Sequence, residues 1–316
     1  MMKYKVIYMG TPHFAKEILE ELLSIEALDI VCVVTQSDKK VGRKQILQYS
    51  AVKTSALYHE LALLQPLKIM EAYEDLKQFK ADVIITCAYG QFLPTKILNL
   101  TKHGVINIHA SLLPKYRGGA PMQHAIMNGE KTTGISLMKS VLEMDAGPVY
   151  DTISVPINTE DTLETLEPRL IEASKTIVHY SLLNILDGKI EAKPQDDTLA
   201  TFAKTIQKQD EIIDFSKEGI TIYNQIRALN PNPYAYALLD NKRVKFGETI
   251  FKYVMHKEEY GKILEMNNKA LVIAVKNGCL FIRELQVEGK QMMKTNQLVN
   301  GYKKLWEGKR FNDENN

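Results

Sequence analysis

The sequence predicts an α/β protein, a doubly wound parallel sheet of Rossmann-like type, with a C-terminal small β-barrel domain after it. Three observations predict it. In the first half, short apolar runs alternate with stretches of helical spacing, the pattern of strand–helix–strand units. Near residue 190 a segment rich in Gly, Pro and charge interrupts the periodicity. Beyond about residue 205 the texture changes to short β-like runs separated by Gly, Asn and Asp.

In chain order, KVIYMG is a buried strand by its length and apolar content, and FAKEILEELLS follows with apolar residues at helical spacing. TPHF is a tight strand-to-helix turn, where Gly10 permits close backbone approach. IVCVVT, ADVIITCAYG and HGVINIHAS repeat the strand theme, with the helix-like PTKILNL between the last two. The long run that starts at VPINTEDTLE reads as one helix, TEDTLE resembling an N-terminal capping region. DGKIEAKPQDDT then reads as a linker, giving domains at 1–189 and 206–316 joined by 190–205. After GITIYNQIRAL, the runs YAYALL, RVKFGETIFKYV, GKILEM, ALVIAV and CLFIREL suggest a small barrel or sandwich. A five-stranded, partly open barrel fits that count.

Composition narrows the class. Apolar residues make up 45% and charged residues 25%, the balance of a soluble globular protein. The start has no basic segment ahead of a long apolar run, so no secretory signal is expected. No stretch reaches the ~20 apolar residues that span a bilayer. Cys32, Cys87 and Cys279 lack metal-ligand spacing, and the first two sit in apolar runs as small buried hydrophobes. A cytoplasmic location is expected, with no metal. The net charge of +2 does not announce a nucleic-acid binder. Residues 205–316, however, hold 18 Lys and Arg against 14 Asp and Glu, a balance of +4 that permits a phosphate-bearing partner. The G-x-G-x-x-G fingerprint is missing after the first strand, so a dinucleotide site is not supported.

The segment VINIHASLLPKYRGGAP carries the chemistry. Asn107 and His109 lie two apart at a strand end, so their side chains share one side, about 6 to 7 Å apart along the backbone. Ligands of open α/β sheets bind outside the carboxyl ends of strands. Leu112, Leu113, Pro114, Tyr116, Arg117 and a Gly-Gly pair then make a stiff wall. Taken singly, either polar residue also suits local capping of loop backbone. Asp145, in EMDAGPVY, reads locally as a turn former, and nothing local joins it to His109.

The run INIHASLLPKYRGGAP followed by MDAGP resembles the folate-dependent formyltransferases, whose signature is N-x-H…S-L-L-P…R-G and a later D-x-G. MGTPHFA, VTQSDKKVGRK, AYGQFLP, IRALNPNPYAY and GKQMM…QLVNGYK extend the resemblance over nearly the whole chain, towards the members that formylate methionyl-tRNA. The resemblance implies 10-formyltetrahydrofolate as donor and the α-amino group of methionyl-initiator tRNA as acceptor, with catalysis by Asn107, His109 and Asp145. Asn107 and a protonated His109 would stabilise the tetrahedral oxyanion, and Asp145 would hold the imidazolium and relay the amine's proton. Ser111, Leu112, Leu113 and Pro114 match the family's folate-contacting run. Arg43 and Lys44 match its tRNA-entering loop, where the commoner A-G-R-G-K-K reads V-G-R-K-Q. The second domain would be a barrel of oligonucleotide-binding (OB-like) type holding tRNA by its backbone, Lys242, Arg243, Lys245, Lys303 and Lys304 being candidates. A monomer is the expected state.

Two other readings stand beside this one. A formyltransferase acting on an amino-sugar nucleotide or glycinamide ribonucleotide accounts for the first 190 residues and leaves the second domain unexplained. A non-enzymatic nucleic-acid-binding protein predicts loss of the Asn/His/Asp set, yet all three residues are present.

Overall fold

The apolar runs of the first half form strands whose both faces are covered. β1 (Tyr4–Gly10) is buried from Val6 onward, as is all of β6 (Val83–Cys87). Near-continuous burial is what a parallel sheet flanked by helices requires. Between β1 and β6 lie α1 (His13–Ser24), β2 (Leu28–Val34), β3 (Lys39–Val41), β4 (Ile46–Gln48), α2 (Ala51–Tyr58), β5 (Leu63–Leu64) and α3 (Tyr73–Gln78). After β6 come α4 (Thr95–Leu98), β7 (Val105–His109), α5 (Pro121–Met127), β8 (Thr132–Lys139), β9 (Val149–Pro156) and α6 (Leu163–Leu186). This computed structural model describes residues 3–41 and 45–312.

Seven strands make one sheet in the order β5-β2-β1-β6-β7-β8-β9. The first five in that order are parallel, which is the expected doubly wound core. β8 and β9 add an antiparallel edge that the alternating strand–helix pattern did not signal. The chain winds outward from β1 through β2 to β5, then restarts on the other side at β6. That reversal is a topological switch, and it leaves a crevice at the strands' carboxyl ends. In α1, Phe14, Ala15, Ile18, Leu19 and Leu22 are buried at helical spacing. Burial of each large member stabilises by about 1.5–3 kcal/mol. A Cβ on Gly10 would sit 2.7 Å from that of Ala15, so α1 can follow β1 this tightly only with glycine there. Ile7, Met9, Cys32, Val34, Ile84 and Val105 share a buried cluster with Ile69 and Leu76.

Chain contacts divide the protein into two compact units. One comprises the residues through Pro121 with Thr132–Pro156 and Glu167–Lys204, and the other comprises Met122–Lys131, Ile157–Leu166 and the chain from Thr205. Within the second, α7 (Gly219–Ala228) supplies the buried Arg227. Its guanidinium donates to Asn224 Oδ1 and the Asp161 carbonyl, each at 2.9 Å, tying the early segments to the later chain.

The remaining strands of that unit are β10 (Ala235–Leu239), β11 (Lys242–Phe246), β12 (Thr249–Tyr253), β13 (Ile263–Met266), β14 (Leu271–Val275), β15 (Gly278–Ile282), β16 (Glu284–Val287) and β17 (Met293–Lys294). They form two antiparallel sheets, β10-β11-β16-β17 and β12-β15-β14-β13. RVKFGETIFKYV and CLFIREL each read as one strand in the sequence, but each turns a corner. The corners pair: Gly247 N–H donates to Glu284 O at 2.9 Å and Arg283 N–H to Glu248 O at 2.7 Å. Counting each bent run once returns the five strands expected, plus the two-residue β17.

α8 (Thr295–Trp306) precedes a segment that joins β10 to β13. Ile263 N–H donates to Lys309 O, and Phe311 N–H to Gly261 O, at 2.8 and 2.9 Å. Asn312 donates its N–H to Leu238 O and accepts the Leu238 N–H at Oδ1, both at 2.8 Å. The core inside includes Phe246, Ile273, Leu280, Trp306 and Phe311.

Candidate active site

The parallel register of β6 and β7 sets Thr86 beside Asn107. The Thr86 hydroxyl donates to Asn107 Oδ1 at 2.9 Å. A hydroxyl can donate or accept, so it is the acceptor-only carboxylate of Asp145 that sets which way the Asn107 amide faces. Its Nδ2 then points at Asp145 Oδ1, 3.4 Å away. Two residues on, His109 is buried opposite Ser136 of β8. His109 Nε2 lies 2.9 Å from the Tyr116 carbonyl, and Nδ1 lies 3.7 Å from Asp145 Oδ2.

Asp145 reaches this place because its loop is held from several sides. Its backbone is left-handed, with φ of 51°, an uncommon state for a residue other than glycine. The Gly118 N–H donates to Asp145 Oδ2 at 2.9 Å, bringing in the turn after Tyr116. Two residues after Asp145, a Cβ on Gly147 would collide with the Lys139 carbonyl of β8, so only glycine lets the loop lie so close. The structure thus brings Asn107, His109 and Asp145 together, although Asp145 is 36 positions from His109.

The arrangement has chemical consequences. A carbonyl only accepts, so the Tyr116 contact requires the hydrogen on His109 Nε2. Nδ1 is therefore the nitrogen at which a proton can come and go, facing the Asp145 carboxylate. At 3.7 Å the two are beyond direct hydrogen-bond range and close enough for one small displacement or one bridging atom to connect them. Burial pushes the nearby Cys87 thiol and Tyr89 phenol each up to about 12. Both stay neutral near pH 7.

Comparison with known proteins gives this geometry a family. Residues 2–182 match the formyl transferase model, and residues 205–303 match that of the formyl transferase C-terminal domain. A methionyl-tRNA formyltransferase of Staphylococcus aureus is 39% identical over 310 residues, covering 97% of this chain and 99% of its own. The chain belongs to the methionyl-tRNA formyltransferase family. Among solved structures, a Helicobacter canadensis N-formyltransferase, bound to folinic acid and dTDP-3-aminofucose, matches with a TM-score of 0.64. It is 20% identical and covers 89% of this chain and 99% of its own. HypX of Aquifex aeolicus with tetrahydrofolic acid also gives 0.64, at 16% identity and 98% coverage of this chain. This chain spans about half of HypX (49%). At such identities the two structures speak to fold alone.

As a methionyl-tRNA formyltransferase family member, the chain shows how its signature run is built. The Ser111 hydroxyl donates to Lys115 O at 2.6 Å, closing the turn from within. Ser136 Oγ donates to Ser111 O at 2.7 Å and accepts the Leu113 N–H at 3.1 Å. Leu112, Leu113 and Pro114 remain half-buried. Arg43 and Lys44 lie outside the described residues, between β3 and β4. Among the described residues, no group of three or more His, Cys, Asp or Glu could hold a metal ion. No helix among them is long and apolar enough to cross a membrane.

Sequence reasoning missed several residues of this family site. Thr86 sits in an apolar run, where a lone hydroxyl beside a polar strand end was the available signal. Gln195 and Thr201 lie in the segment read as a linker, where nothing local marks them. Thr201 Oγ1 accepts the Tyr116 N–H at 2.9 Å, and Thr201 O accepts that of Arg117 at 2.9 Å.

Proposed function

We propose that this protein transfers the formyl group of 10-formyltetrahydrofolate to the α-amino group of methionyl-initiator tRNA, in the cytoplasm and as a monomer, to supply translation initiation. The observation that carries the reading is one carboxylate, Asp145, facing both the Asn107 amide and His109 Nδ1, in a chain alike over its whole length to methionyl-tRNA formyltransferases.

The neutral amine attacks the formyl carbon, a new C–N bond forms, and the C–N bond to the folate breaks. Negative charge gathers on the formyl oxygen on the way, where Asn107 Nδ2, its amide steadied at Oδ1 by Thr86, donates to it. His109 Nδ1 is the atom for the second donor. Asp145 then balances the positive ring and takes up the proton that the amine gives up, which ends on the departing folate nitrogen. An α-amino group ionises at about 7.7–8.0, so a useful share is free base at neutrality. Leu112, Leu113 and Pro114, in the turn closed by Ser111, would form the folate-facing wall.

Residues 1–189 would be the catalytic domain, 190–205 its connection, and 206–316 the OB-like domain that holds tRNA. Arg43 and Lys44 would add phosphate contacts to the acceptor end. The test is transfer of labelled formyl from 10-formyltetrahydrofolate to charged initiator tRNA, with glycinamide ribonucleotide and a nucleotide-linked amino sugar run alongside. Label on the methionyl-tRNA is expected. Label on an amino sugar, with the tRNA unmodified, overturns the acceptor.

A further inference from the structure

We infer that Gln195 is a positioning residue for Asp145, a clamp that holds the loop carrying the carboxylate against the turn that buries His109. This inference rests on the reading of Asp145 as part of the reacting site.

Gln195 uses its whole amide. Nε2 donates to the Asp145 carbonyl at 2.8 Å and to the Gly147 carbonyl at 2.7 Å. Oε1 accepts Arg117 Nε at 3.1 Å and the terminal NH2 at 2.9 Å. The guanidinium is buried, 3% exposed, and its NH2 also reaches Asp197 Oδ1 at 2.6 Å. These four bonds admit one amide orientation, donor towards the Asp145 loop and acceptor towards Arg117.

The two ends of the clamp are the two structures that must agree for the site to form. Arg117 follows Tyr116, whose carbonyl holds His109 Nε2, and precedes Gly118, whose N–H holds Asp145 Oδ2. Asp145 keeps a left-handed backbone and stands 3.7 Å from His109 Nδ1. Grasping Asp145 and Gly147 by their carbonyls fixes the backbone on both sides of Ala146. Misplacement of a reacting group by about 1 Å can cost about 100-fold in rate. A segment with the composition of a linker therefore sets the geometry of the carboxylate.

The clamp is two-sided, and the sides can be separated. Gln195→Glu keeps an acceptor for Arg117 and offers only acceptors to the two carbonyls. Gln195→Ala removes both sides. If Gln195 merely anchors Arg117, Gln195→Glu restores both melting temperature and kcat relative to Gln195→Ala. If it positions Asp145, Gln195→Glu restores melting temperature while kcat stays about 10-fold or more below wild type, with folate KM within about threefold. Asp145→Ala, alone and combined with Gln195→Glu, completes the set, all assayed by formyl transfer to methionyl-tRNA. The double variant is expected to be no slower than Asp145→Ala, because a positioning residue has nothing left to position. Wild-type kcat in Gln195→Glu, or in Gln195→Ala, overturns the clamp while leaving the site reading intact if Asp145→Ala is slow. Wild-type kcat in Asp145→Ala overturns both.

Discussion

Thr86 donates its hydroxyl to Asn107 Oδ1 at 2.9 Å across the register of β6 and β7, and this bond steadies the amide whose Nδ2 faces the Asp145 carboxylate. Thr86→Val keeps the shape and removes the donor. Asn107 Oδ1 then loses its donor and the amide a constraint on its position, and kcat should fall about 10-fold. The net stability change should stay within the 0.5–1.5 kcal/mol typical of one hydrogen bond. Steady-state kinetics beside thermal melts check it; unchanged kcat would show that Asn107 keeps its orientation without Thr86.

His109→Ala should lower kcat by about 100- to 10,000-fold, the range of a lost general acid–base group. Folate KM should change little, since the ring's assigned interactions form at the transition state. A variant with a raised KM and normal kcat would make His109 a binding residue instead.

Stability against pH carries a signature from the base of the β3–β4 hairpin. The Gln65 amide, and then the Lys53 ammonium at 2.6 Å, hold the Asp38 carboxyl below the ordinary aspartate range. A value lower in the folded state than in the unfolded one means that ionised Asp38 favours folding. Its contribution is complete above the unfolded value of about 3.9 and is lost as pH falls through the folded one. The melting-temperature gap between wild type and Asp38→Asn should therefore be constant from about pH 5 to 7 and close below about 4. A gap that widens on acidification refutes the assignment.

Phe311 is 2% exposed, with its ring edge-to-face on Phe246 at 5.4 Å and near Phe215 at 6.1 Å. Phe311→Ala should destabilise the second unit by about 3–5 kcal/mol. The chain's single tryptophan, Trp306, lies buried in the same core, so its fluorescence in urea reports this transition. A loss below about 1 kcal/mol would mean that the strand-bridging segment adds little to that core.

How much of this could be read from residues alone follows from where the information lies. Asn107 and His109 were legible because a strand's period of two carries two neighbours to one side. The parallel core was legible because β1, β6 and β7 are short runs dominated by apolar residues. Asp145 needed the fold, since its turn chemistry is the same whether or not a histidine waits across the crevice. Thr86, Gln195 and Thr201 act by single hydrogen bonds, which leave no periodicity behind. The corners at Gly247 and Arg283 were hidden because a strand that changes sheet keeps its alternation through the bend. β8 and β9 were missed because an antiparallel edge breaks the strand–helix rhythm that revealed the others.

Gly147 separates two kinds of constraint that a reader of related sequences would otherwise merge. His109 is placed by the groups its ring faces, whereas Gly147 is demanded by the Lys139 carbonyl lying where a side chain would begin. Losing the imidazole would leave a small cavity and remove the ring N–H that the Tyr116 carbonyl accepts, whereas a Cβ at Gly147 would meet backbone itself. The two members of the D-x-G pair are thus held by different things: the aspartate by the groups its carboxylate faces, the glycine by the backbone that lies against it.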